Sequence, residues 1–171
     1  MRWVAALAVV LGSAVAGALK ASELAERPRQ LRTLQRDIQM LITEIGYFAT
    51  PIPLALQAVG RSSHGPVALL WQRVCQRLQD SREQSFSKVW YQCVREVRPH
   101  LSLSGEDWVE IQSLAGWLGR SEGTDQVAKL KGLNLRLQRL EEQALVRRDQ
   151  LARLYRYLGW AVGVGICIFL M

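Results

Sequence analysis

The chain has 171 residues, with 22 Lys and Arg against 15 Asp and Glu and a net charge of +7. A hydrophobic content of 49% with six Trp excludes a disordered polypeptide, and the length suits one modest domain. A basic balance is compatible with nucleic acid, anionic lipid or an acidic protein, and the apolar residues at both ends put the membrane first.

The first element is the run Trp3 to Leu19, which carries no charged side chain. At about 1.5 Å per residue it spans roughly 26 Å, close to a hydrocarbon core of about 30 Å. Residues 1–21 therefore read as a transmembrane helix. Gly12 with Ala16 and Ser13 with Gly17 form small-x-x-x-small pairs, which let helix backbones approach closely. The alternative is a cleaved signal peptide, since Ala14-Val15-Ala16 and Ala18-Leu19-Lys20-Ala21 resemble cleavage sites. Charge weighs against it. Only Arg2 precedes the run, while Lys20, Arg27, Arg29, Arg32 and Arg36 follow it. A local Lys/Arg excess marks the cytoplasmic side. These five cations read as a topology signal, placed to touch anionic headgroups or a partner. A DNA-binding reading of the same arginines lacks any recognition motif.

Residues 22–155 read as a helical bundle, with no clean alternation of apolar and polar residues. Leu31, Leu34, Ile38, Leu41 and Ile45 fall at spacings of three and four, predicting a first helix over about 22–48. Thr50-Pro51 reads as the N-cap and first position of a short second helix ending near Val59. Gly60 to Gly65 is then a loop, and Pro66 opens a third helix. Asp80 to Ser85 is turn-like, and Phe86 to Val97 forms a fourth helix stopped by Pro99. Ser104-Gly105-Glu106-Asp107 has the pattern of a capping box before a fifth helix, which Gly119 to Gly123 ends. Trp71, Trp90 and Trp117 fall on apolar faces, and at least two are expected in the core.

A sixth helix is expected from Thr124 to the C-terminus, about 70 Å at 1.5 Å per residue. Leu130, Leu133, Leu137, Leu140, Ala144, Leu151, Leu154 and Leu158 form its stripe, with Arg147 at the missed position. The stripe serves the bundle core or, alternatively, a coiled coil with another chain. Residues 156–171 read as a second transmembrane helix continuous with it, with Tyr155, Tyr157 and Trp160 at interfacial positions. Gly159 and Gly163 form a G-x-x-x-G packing motif there. Arg147, Arg148, Arg153 and Arg156 precede this run. Both flanks thus assign the bundle to the cytoplasm and both termini to the far side.

Chemistry-bearing patterns are sparse. His64 and His100 fall in loops, and Cys75, Cys93 and Cys167 lack C-x-x-C spacing. Cys75 and Cys93 read as small reduced hydrophobes beside Trp71 and Trp90. The acidic pairs Glu106-Asp107 and Glu141-Glu142 suit a helix N-terminus and a solvated helix face. The expectation is a non-enzymatic protein with no cofactor and no metal.

The segments ERPRQLRTLQ, LITEIGYFATPIPLAL and WLGRSEGTDQ, followed by an apolar tail ending in Met, resemble the stage III sporulation protein AB family. The resemblance covers essentially the whole chain. That family is similar to the inner-membrane platform protein of type II secretion and type IV pilus systems, whose cytoplasmic unit is a six-helix bundle. The resemblance implies a complex in the mother-cell membrane facing the forespore. Its implied partners are a secretion-type ATPase, channel-forming ring proteins and membrane lipids, with a homo-oligomer open and no nucleic acid expected. The competing expectation is an exported or membrane-anchored helical domain that binds a ligand or nucleic acid.

Overall fold

The computed structural model describes residues 25–80, 85–119 and 123–170, with side chains as far as Leu154 apart from residues 123 and 152. Among the described residues all regular structure is helical. Helix α1 covers residues 25–46, α2 Ile52–Ser62, α3 Pro66–Asp80, α4 Phe86–Val97, α5 Gly105–Trp117 and α6 Gly123–Leu170, with a 3-10 turn at Arg98–His100. The chain divides into two compact units, Arg27–Glu142 and a second made of Met1–Glu26 with Gln143–Met171. Of the second, the described part is the helical backbone of 143–170 and the two residues before Arg27.

Within Arg27–Glu142, the three-four spacing of α1 puts Leu31, Leu34, Ile38 and Leu41 in the core. The first half of α6 runs antiparallel to α1. Arg32 meets Glu141, Gln35 donates to the Leu137 carbonyl, and Gly46 lies against Val127. A Cβ on Gly46 would come within 3.0 Å of the Val127 side chain, so glycine permits this approach. Leu130, Leu133 and Leu137 are fully buried, so this part of the stripe builds the core.

The aromatic centre joins α3, α4 and α5. Trp71 and Trp90 are both inaccessible to solvent, with ring centroids 5.6 Å apart, and Phe86 lies 5.6 Å from Trp90. The Trp90 indole N–H donates to the Ile111 carbonyl at 3.1 Å. Two of the three expected tryptophans are thus core residues. Trp117 is half-buried, and Trp108 joins the core instead. Cys93 is buried, Cys75 is half-buried, and both thiols are free. Burial pushes both thiols above the ordinary range, so they pack as protonated, small apolar groups.

Some boundaries differ from the sequence reading. α2 continues through Gly60 to Ser62, and a Cβ on Gly60 would lie 3.3 Å from the Cys75 sulfur. Gly60 is a packing glycine where α2 meets α3, not a breaker. Thr50 does not cap α2. Its hydroxyl donates to Glu44 at 2.8 Å and its N–H to the Glu44 carbonyl, which closes α1, and Pro51 occupies the N-cap position without a side-chain bond. α6 begins at Gly123, one residue before Thr124.

Among the described residues no helix is long and apolar enough to cross a membrane. The flanking transmembrane helices read from the sequence therefore gain no support there. The run Trp3 to Leu19 lies outside the described residues. Of 156–170, the backbone is helical and the side chains lie outside the description.

Candidate functional site

The first polar centre sits at the start of α5. Ser104 and Asp107 form the expected capping box, with the Ser104 N–H donating to Asp107 Oδ2 at 2.7 Å. Arg27 then grips the same cap from α1. Its Nε donates to Asp107 Oδ2 at 2.8 Å, and its Nη2 donates to Asp107 Oδ1 and to Ser104 Oγ, each at 2.9 Å. This is the two-pronged geometry that suits a guanidinium to a carboxylate. Asp107 is wholly buried and the Arg27 side chain is only 16% exposed. The hydrogen bond to Asp107 raises the Arg27 pKa above its already high ordinary value. Gln30, one turn further along α1, accepts from the Ser102 N–H at 2.8 Å. The ERPRQLR segment thus fastens α1 to the entrance of α5.

A second centre joins α1 to α6. Glu141 Oε1 receives Arg32 Nε at 2.8 Å, and Oε2 receives the Gln35 amide at 2.7 Å. Glu141 is therefore not on a solvated face as its pairing with Glu142 suggests; it faces α1 and is buried, while Glu142 is exposed. The Arg32 side chain remains 66% exposed.

A third centre was missed by sequence reasoning. Asp37 is 6% exposed and accepts 2.7 Å bonds from the Ser63 hydroxyl and the Trp71 indole N–H. It ties α1 to the α2–α3 connection and to α3. The signal was its position, three residues after Leu34 and one before Ile38, on the buried face of the stripe. Burial raises the Asp37 pKa; the bonds from Ser63 and Trp71, then Arg36 and His64, oppose the rise. An acid with a raised folded pKa binds its proton more tightly when folded. Its contribution to stability is greatest at low pH and falls as pH rises from the ordinary carboxylate range through the raised value. Asp37→Asn keeps an acceptor and removes this slope, so its urea-unfolding free energy should be flatter across that window than the parent's. Asp37→Ala leaves Ser63 and Trp71 without an acceptor and should cost about 1–3 kcal/mol.

The residues singled out from sequence separate into groups. Arg27 is committed inside the helical unit, Arg32 bridges to Glu141, and Arg29 and Arg36 are exposed on α1. Lys20, Gly12, Ser13, Ala16 and Gly17 lie outside the described residues. Gly159 and Gly163 have helical backbone within α6, and their packing lies outside the description. His64 and His100 are exposed. Among the described residues no group of three or more His, Cys, Asp or Glu could hold a metal ion. The three polar centres built on Asp107, Glu141 and Asp37 tie helices to one another.

The family model for stage III sporulation protein AB matches residues 2–171. The chain belongs to the stage III sporulation protein AB family. The family protein of that name from Bacillus subtilis (strain 168) is 27% identical over 177 residues, covering 100% of this chain and 99% of that protein. A solved stage III sporulation protein AB (SpoIIIAB) structure superposes with a TM-score of 0.67 at 28% identity. It covers 73% of this chain and 98% of the solved one. Most of this chain thus shares the fold of a stage III sporulation protein AB of known structure.

Proposed function

We propose that this stage III sporulation protein AB family member is a non-enzymatic membrane platform. It would stand in the mother-cell membrane facing the forespore and couple a cytoplasmic secretion-type ATPase to a channel complex. The observation that carries this reading is where the chain enters and leaves the helical unit. Arg27, at the entrance, binds the α5 cap, and Arg32, little more than a turn along α1, meets Glu141, beside the exit at Glu142. Entrance and exit therefore share one pole of the unit. Upstream lies the uncharged run Trp3 to Leu19, and downstream the uncharged run Tyr157 to Met171. A unit tethered through two segments at one pole presents the opposite pole and its flanks to cytoplasmic partners. The transmembrane assignment of residues 1–21 and 156–171 belongs to this proposal, as does the packing role of Gly12, Ser13, Ala16, Gly17, Gly159 and Gly163. The exposed Arg29 would hold the entrance pole against anionic headgroups together with Lys20, while Arg36, further along α1, would add orienting charge or meet a partner.

Topology tests the reading. A reporter inserted at His64, in the exposed α2–α3 connection, should be active only on the cytoplasmic side. Activity only on the exported side would instead favour a helical domain that binds a ligand or nucleic acid outside the membrane. Arg29→Gln with Arg36→Gln should increase misoriented protein, because orienting charge is lost. Unchanged orientation would assign those arginines to a partner contact.

A further inference from the structure

The turn after α1 displays two aromatic rings that the fold does not use. Tyr47 is 82% exposed and Phe48 61%, and Leu54, in the first turn of α2, is 56% exposed. The rings pack edge to face with centroids 5.1 Å apart. Their backbone is fixed. The N–H groups of Tyr47 and Phe48 both donate to the Thr43 carbonyl, and Thr50 is tied to Glu44 by backbone and side chain. Ala49 holds φ at +51°, a left-handed conformation that alanine rarely adopts. From Gly46 to Leu54 there is no charged side chain, in a chain that is 22% charged. A rigid, uncharged aromatic projection loses little conformational freedom on association, and such rings are common anchors of protein interfaces.

Its position limits what can cover it. α1 runs from the entrance pole to this turn, roughly 30 Å at 1.5 Å per residue. With the entrance pole against a membrane, as proposed above, these rings lie well beyond the headgroups. Tyr47, Phe48 and Leu54 together offer on the order of 400 Å², about half the 800 Å² per partner of a stable specific interface. A permanent dimer built on this projection is therefore undersized. The area suits a contact that forms and releases.

We propose that the Tyr47–Phe48 projection is the transient docking point for a different protein in the same compartment as the helical unit. That partner receives the two rings in an uncharged, apolar cleft. Because the location rests on the membrane reading, the His64 reporter is run in the same strain, so an exported unit would refute that reading separately.

The test places the photo-cross-linking residue p-benzoylphenylalanine at Tyr47, at Phe48 or, as an exposed control, at Arg95 in the full chain during sporulation. The expected result is an adduct with one other protein from positions 47 and 48 but not 95. The linked peptide of that protein should be apolar and uncharged, and Leu54→Asp should reduce the adduct roughly tenfold or more. An adduct of two copies of this chain, an adduct with lipid, a charged linked peptide or no adduct would overturn the proposal. A second measurement does not depend on cross-linking. Tyr47→Ser with Phe48→Ser should leave the unfolding midpoint unchanged and sharply lower spore yield; normal spore yield would also overturn it.

Discussion

Arg27→Met is expected to destabilise the helical unit by about 3–5 kcal/mol, the range for removing one member of a buried ion pair. Asp107 is wholly buried and receives two of the three Arg27 bonds, so the variant leaves a carboxylate without its counter-charge. The capping bond from the Ser104 N–H remains, but it brings no full positive charge. Against a total stability of about 5–15 kcal/mol, the loss is large enough to unfold a marginal chain. Urea unfolding of the purified protein measures it. Adding Asp107→Asn should recover part of the loss, because the stranded charge is then gone. A single-variant loss below about 1 kcal/mol would make Arg27 merely a basic residue near the entrance and its contact with the α5 cap incidental.

Trp90→Ala is expected to cost a similar 3–5 kcal/mol. The side chain is fully buried, touches both Trp71 and Phe86, and uses its N–H on the Ile111 carbonyl. Truncation removes the contact joining α4 to α3 and α5 and leaves that carbonyl without its indole donor. Trp90→Phe retains most of the volume and loses the hydrogen bond, so about 1–2 kcal/mol is expected. The same unfolding measurement distinguishes them. Equal losses for the two variants would mean that the hydrogen bond, and not the packing, dominates at this position.

The sequence made local order legible and left the long-range pairing hidden. The stripe from Leu31 to Leu41 marked the buried face of α1, because the helical period alone decides which side chains share a face. The Ser104–Asp107 cap was equally visible, since both its partners lie within one turn. Arg27 was read only as positive charge near an apolar run. Its partner is 80 residues away, and no local spacing announces such a pair. Gly60 misled because glycine has two uses. Its low helix propensity suggested a break, whereas inside the helix its bare Cα lets α2 pack closely on Cys75 of α3. Asp37 could have been found, because a carboxylate in an apolar stripe needs donors, and the buried face gives it Ser63 and Trp71. Tyr47 and Phe48 follow the α1 stripe directly and read as its continuation, but the chain turns after Gly46 and leaves both rings outside.

The central claim is that the helical unit acts on a membrane complex through its own tether and does not merely float beside it. The backbone of α6 is helical through Gly123–Leu170, and no proline interrupts it. Inserting Gly-Gly-Ser-Gly after Arg156 breaks that helical path without touching any buried contact described above. The measurement is spore yield in a strain whose only copy carries the insertion, with protein level, membrane fraction and unfolding midpoint matched to the parent. The account predicts a folded, membrane-bound protein with sporulation abolished. Normal spore yield at normal protein level would contradict coupling through α6 and reduce the tail to an anchor.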